Sequence, residues 1–350
     1  MINEWVLFFI YQAFPVFAIA SIATYLSIPW IEYLSFRINL TVGFEQRRSF
    51  FGGAILWVGI LVSSFLHTET TNEMIGIGVG LTYACIWGVI EDKYIASRIW
   101  RSIGNSLGIF ILLSLGIRID RWQWDFFSVS GDWIAVGVIV SFFIGMGLTS
   151  SLYVFKRMNG VLCSYVGIVA STLGVVCFTI HNNLMAILAF SLAGVCFSFY
   201  KYNQNPIRLY IGRSGVNVCG YLLYIICIQG VMNKTFSSHI VMVLFLFAIP
   251  IGFYLARFKY GWQSFQSKQI PGFSVRNRRL NNHPQVQVVK WGLHLSIMMT
   301  GGIIMICLVL NIPLLMVLSL MASAIYGFFV LGILFIPRNW IKRILALFRI

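Results

Sequence analysis

Two adjacent carboxylates, Glu91 and Asp92, followed at once by Lys93, end an uncharged run that extends from Met74 to Ile90. Neighbouring acids at the end of an apolar helix can hold a hard cation and, through it, a phosphate. The same three residues also suit a plain helix end meeting water, with Lys93 offsetting one acid. Four other hydrophilic breaks carry cations, polar groups or glycine turns: Arg47-Arg48, Lys156-Arg157-Met158-Asn159, Gly212-Arg213-Ser214-Gly215, and the stretch from Arg276 to His283 with Arg278 and Arg279. Gathered on one face, cations and glycine turns beside paired acids suit an anionic lipid headgroup or a nucleotide diphosphate. Taken singly, each cluster equally suits a basic flank touching anionic lipids.

Composition says which elements must hold these side chains. Of 350 residues, 59% are hydrophobic and 10% charged, where a soluble domain carries about 25% charged residues. The chain therefore reads as an all-α, polytopic integral membrane protein, because a bilayer-spanning segment must satisfy its own backbone and needs about 20 apolar residues. About eleven apolar segments follow one another, near 5–32, 50–66, 74–90, 101–117, 133–152, 161–180, 184–199, 214–232, 239–256, 291–310 and 313–336. They form a single transmembrane domain over 1–350, with one long polar loop, 257–290, inside it. The seven cysteines all lie in apolar runs without a CxxC spacing, which reads as small apolar helix residues and not as disulfides or zinc ligands. The first apolar run lacks a basic leader and is too long for a cleaved signal, so it is expected to remain as a span.

Charge orients the bundle. Loops on alternate sides carry about +18 and about −3, which recovers the net charge of +15. That places the amino terminus outside and the carboxyl terminus in the cytoplasm. All five hydrophilic breaks then fall on the cytoplasmic face. The cations are spread among loops and not gathered on one folded domain, which argues against nucleic acid as a partner.

The order of these motifs resembles the polyprenyl-phosphate N-acetylhexosamine-1-phosphate transferases of glycosyltransferase family 4, and within them the undecaprenyl-phosphate GlcNAc-1-phosphate transferases. Arg47-Arg48 followed by Gly52-Gly53 is similar to the family's basic pair and glycine-led helix start. Gly88 to Lys93 stands where the family has a glycine followed by Asp-Asp-Arg, with Ser97 and Arg101 at the matching downstream spacing. Tyr153 to Cys163 covers an Asn- and Asp-rich motif, of which Asn159-Gly160 is similar, while Tyr153 and Lys156 replace asparagines and Asn159 and Leu162 replace aspartates. Gly212-Arg213-Ser214-Gly215 stands at Gly-Asp-Ala-Gly, and Asn277 to His283 at a histidine-rich motif that keeps one histidine of three.

The resemblance implies a multi-pass protein of the bacterial cytoplasmic membrane. It also implies Mg2+ held by the paired acids together with the aspartate whose position Arg213 occupies. Two unit charges near 4 Å interact by about 4 kcal/mol at an effective dielectric of 20, so the exchange of aspartate for arginine works strongly against a divalent cation. Two functions follow. The charge reversal favours a catalytically impaired paralogue that binds polyprenyl phosphate or a nucleotide sugar and regulates or scaffolds other polysaccharide-assembly proteins. The alternative is an active transferase with a rebuilt site, moving sugar-1-phosphate from a UDP-sugar to undecaprenyl phosphate at the start of surface polysaccharide synthesis. There Asp92 and Glu91 would act catalytically, Asp92 would hold Mg2+, and Lys93, Arg47, Arg48, Asn159, Arg213, Arg278, Arg279 and His283 would contact substrate.

Overall fold

In the computed structural model the described residues are 7–37, 41–42, 48–49, 52–69, 71–94, 98–119, 134–153, 155, 160–203 and 209–233. They hold eight α-helices. These are α1 (Phe14–Arg37), α2 (Gly52–His67), α3 (Asn72–Tyr94), α4 (Arg98–Ser114), α5 (Ile134–Leu152), α6 (Val161–Thr179), α7 (Asn183–Asn203) and α8 (Gly212–Ile225). A π-helical turn, Phe9–Ala13, leads into α1, and a second, Ile226–Met232, continues α8. Each helix coincides with one of the first eight apolar segments read from the sequence. Among the described residues six stretches are long and apolar enough to cross a membrane, namely Ile10–Leu34, Asn72–Tyr94, Ala135–Leu152, Val161–Thr179, Asn183–Asn203 and Gly212–Met232; Gly52–His67 and Ile99–Ser114 are shorter apolar helices. The protein is thus an all-α, multi-pass membrane protein. The three remaining expected segments, 239–256, 291–310 and 313–336, and the loop 257–290 lie outside the described residues.

One small element escapes the apolar pattern. Between α1 and α2, β1 (Thr41–Val42) pairs antiparallel with β2 (Arg48–Ser49), in the register Thr41 to Ser49 and Val42 to Arg48.

At the centre stands α8, which packs against α2, α3 and α5. All its residues except Arg213 are buried. Without a hydrophobic drive between helices in lipid, such packing depends on small residues that let backbones approach. They are concentrated where the starts of α2 and α8 meet the end of α3. A Cβ on Gly53 would lie 2.3 Å from the Ser214 carbonyl carbon, and one on Gly88 would lie 2.2 Å from the Ser214 Cα. The glycines that the sequence shows flanking its polar breaks are therefore the points at which three helix ends touch. Buried and half-buried hydroxyls tie other helices together. Ser63 of α2 donates to Ser191 of α7 at 2.9 Å, and Ser21 of α1 donates to the Gly194 carbonyl at 3.0 Å.

Candidate functional site

Two of the hydrophilic breaks meet in space. The apolar run before Glu91 suggests a helix ending at Ile90, but α3 continues to Tyr94. Glu91 and Asp92 are thus part of its last turn. Glu91 is completely buried. It does not face water, because that turn is clasped by α8 and by Tyr153 at the end of α5.

Both Glu91 oxygens are bonded. Trp87, one turn earlier on the same helix, donates its indole N–H to Oε1 at 2.9 Å. The Tyr153 hydroxyl donates to Oε2 at 3.1 Å. That hydroxyl also bonds the Asn217 side chain of α8. One phenolic proton serves one acceptor, so both contacts are satisfied when Asn217 turns its amide to donate to the phenolic oxygen. Burial and then the nearby Glu91 carboxylate hold the Tyr153 phenol well above its ordinary range, which keeps it a donor. The Arg101 guanidinium lies over the Tyr153 ring at 4.8 Å, and Arg101 and Arg213 both lie within electrostatic reach of Glu91.

Asp92 is used differently. The first N–H groups of a helix lack partners within it, and α8 begins without a side-chain cap of its own. Asp92 Oδ2 accepts from the backbone N–H of Arg213 at 2.6 Å and of Ser214 at 3.2 Å, with the Ser214 hydroxyl at 3.5 Å. A carboxylate from α3 therefore caps α8, as an N-cap side chain does within one helix, and it sits at the positive end of the α8 dipole. The reverse contact is made by Arg213. Its Nη1 donates to the Glu91 carbonyl at 3.0 Å, one of the last four carbonyls of α3, which likewise lack a partner inside their helix.

The donor set can be tested against a divalent cation. Magnesium takes six oxygens in a near-octahedral shell, commonly one or two carboxylates with waters and substrate phosphates. Here both oxygens of Glu91 and one of Asp92 already accept hydrogen bonds, and a guanidinium occupies the position beside them. Among the described residues this set does not fit Mg2+.

The other expected residues divide simply. Lys93 is exposed, with its ammonium 5.6 Å from the Tyr94 ring centroid. Arg48 falls in β2, where the backbone alone is described. Arg47, Asn159, Arg278, Arg279 and His283 lie outside the described residues. The spacing of the acids alone does not single out Trp87, Tyr153 or Asn217. Trp87 could have been found as the residue four before Glu91, on the same helix face. Asn217 could have been found as an amide inside an apolar span, where polar groups are costly.

A model described as glycosyl transferase family 4 matches residues 74–231. The chain is 24% identical over 206 residues to a probable undecaprenyl-phosphate N-acetylglucosaminyl 1-phosphate transferase of Bacillus subtilis, covering 57% of this chain and 56% of the relative. It is 29% identical over 191 residues to a phospho-N-acetylmuramoyl-pentapeptide-transferase of Desulfitobacterium hafniense, covering 47% and 56%. It is 22% identical over 238 residues to a decaprenyl-phosphate N-acetylglucosaminephosphotransferase of Mycolicibacterium smegmatis, covering 58% and 56%. The chain spans just over half the length of these curated relatives. The matched region runs from the start of α3 into the π-helical turn that continues α8 and so encloses Glu91, Asp92, Tyr153 and Arg213; over it the chain is similar to glycosyl transferase family 4.

Proposed function

We propose that this protein is a paralogue of the polyprenyl-phosphate sugar-1-phosphate transferases that has lost their magnesium-dependent chemistry. In this reading it binds a polyprenyl phosphate or a nucleotide sugar in the bacterial cytoplasmic membrane. It would serve polysaccharide assembly there as a regulator or scaffold. The names of the relatives supply the ligand class, since those from Bacillus subtilis and Mycolicibacterium smegmatis couple a polyprenyl phosphate with an N-acetylglucosamine phosphate.

The observation that carries the reading is the reciprocal bonding of Asp92 and Arg213. The carboxylate caps α8 and the guanidinium closes α3. A metal that took Asp92 Oδ2 would uncap α8, at about 1 kcal/mol, and a metal at either oxygen would meet the repulsion of Arg213. The positive-inside charge pattern supports a cytoplasmic position for this end of the bundle.

The test is turnover. Full-length protein in detergent, given UDP-GlcNAc, undecaprenyl phosphate and Mg2+, is expected to release no UMP above the blank, while undecaprenyl phosphate alone raises its melting temperature. UMP release that disappears in Asp92→Asn would establish the other reading, an active transferase with a rebuilt site. A cysteine at Ser274 checks the topology: it is expected to resist an impermeant thiol reagent applied to intact cells.

A further inference from the structure

Among the described residues three buried polar side-chain atoms have no hydrogen-bond partner: Arg101 Nε, Asn105 Oδ1 and Asn217 Nδ2. They are not scattered. Arg101 lies over the Tyr153 ring, and Tyr153 bonds Asn217. Tyr221, one turn beyond Asn217 on α8, donates to the Asn105 backbone carbonyl at 3.0 Å. Asn105 in turn lies one turn beyond Arg101 on α4. These five residues close a ring between α4 and α8, and every orphaned atom belongs to it.

The ring is deep. Asn105 is 2% exposed, Asn217 1% and Tyr221 1%. A buried polar group left unmade costs about 1–3 kcal/mol, and native proteins seldom carry such groups without water or an ion to satisfy them. The set comprises two N–H donors and one carbonyl acceptor. An anion would face the Asn105 carbonyl, and a cation would face the Arg101 guanidinium. Water fits, because it accepts two hydrogen bonds and donates two. It fits equally when the Asn217 amide is turned to serve Tyr153, since the set is then one donor and two acceptors.

We propose that Arg101, Asn105 and Asn217 hold an internal hydration site of about one or two ordered water molecules. The water extends the Glu91–Tyr153–Asn217 chain across to α4. It fastens α4 to α8 by bridging bonds, which are nearly as good as direct ones. The site stands on these contacts alone, independent of the ligand the protein takes.

Hydroxyl radicals generated by short X-ray pulses form from bound water and mark the side chains beside it. In the full chain reconstituted in lipid nanodiscs, Tyr221 is expected to be oxidised several-fold more than Tyr224, which is equally buried on the same helix. In the paired variant Asn105→Leu with Asn217→Leu that excess is expected to disappear. Equal oxidation of Tyr221 and Tyr224 in the unaltered protein would overturn the proposal whether or not the variants fold. Melting temperatures give a second reading. Each single leucine substitution strands its neighbour's bridging water, so the two losses are expected to overlap and the double variant to lose less than their sum. Strict additivity would count against a shared site.

Discussion

The two ends of α8 solve the same problem with different chemistry. At both, backbone groups at a helix end or in the turn just beyond one need partners. The C-terminal end uses neutral amides. Gln229 donates to the Gly116 carbonyl at 2.9 Å, Asn233 to the Arg118 carbonyl at 2.8 Å and to Gln229 at 2.8 Å, and Asn182 to the Gln229 carbonyl at 3.0 Å. The N-terminal end uses a carboxylate and a guanidinium, with a second, fully buried carboxylate behind them. Tying helices together does not need charge, as the amide end demonstrates. Burying ions costs several kcal/mol each before pairing repays it. The surplus of charge at one end therefore marks a place shaped by something besides packing.

Glu91 gives the sharpest contrast. Replacing it with alanine leaves the Trp87 donor unmade, takes one partner from Tyr153 and removes the carboxylate that Arg101 and Arg213 face. The expected loss is about 3–5 kcal/mol, read as a lower melting temperature in detergent. The neutral Glu91→Gln should recover part of it, because an amide oxygen still accepts one of the two bonds. Next comes Gly88→Ala, where the new methyl would meet the Ser214 backbone at 2.2 Å. Moving α8 away from α3 is expected to cost about 1–3 kcal/mol. Gly147→Ala on α5, with nothing within 4 Å, is the control and should be neutral or slightly stabilising.

Arg213 tests what the charged end is for. Arg213→Met removes a cap from α3 and is expected to cost about 1 kcal/mol. Arg213→Asp should behave otherwise. It places two carboxylates at the start of α8, where the helix dipole favours each by about 0.3–1 kcal/mol but their mutual repulsion opposes them. A divalent cation relieves that repulsion. The variant is therefore expected to gain melting temperature with millimolar Mg2+, while the unaltered protein shows no difference between Mg2+ and EDTA. Equal responses of the two proteins would separate Arg213 from any metal position.

Much of this was legible in the sequence. Apolar runs located all eight described helices, six of them of span length, because lipid imposes that length whatever packs beside it. The convergence of Glu91-Asp92 with Gly212-Arg213-Ser214 was also readable, from motif order and charge orientation. The burial of Glu91 was not. Hydropathy treats a charged residue as the end of a span, whereas a carboxylate with two donors can stay inside the helix. The Tyr153 contact was hidden for a related reason: a residue 62 positions away leaves no trace in local spacing. The hairpin of β1 and β2 is too short for strand periodicity to register.

Asn233→Ala at the amide end has a small expected effect, and it decides whether the contrast is real. Asn233 is half-buried and makes two bonds, to the Arg118 carbonyl and to Gln229. Unlike the groups around Glu91, these acceptors lie near the surface, since Gln229 and Arg118 are themselves only partly buried. Water can replace the lost amide at each of them, so the net cost is that of an ordinary neutral hydrogen bond, about 0.5–1.5 kcal/mol. No ion is stranded, and the loss should not change with salt or Mg2+. Side-by-side melts of Asn233→Ala and Glu91→Ala in one detergent provide the comparison. Equal losses would mean that charge at the N-terminal end of α8 performs only the helix-end capping that amides perform at the other. A gap of about 2 kcal/mol or more is what a buried, doubly bonded carboxylate requires.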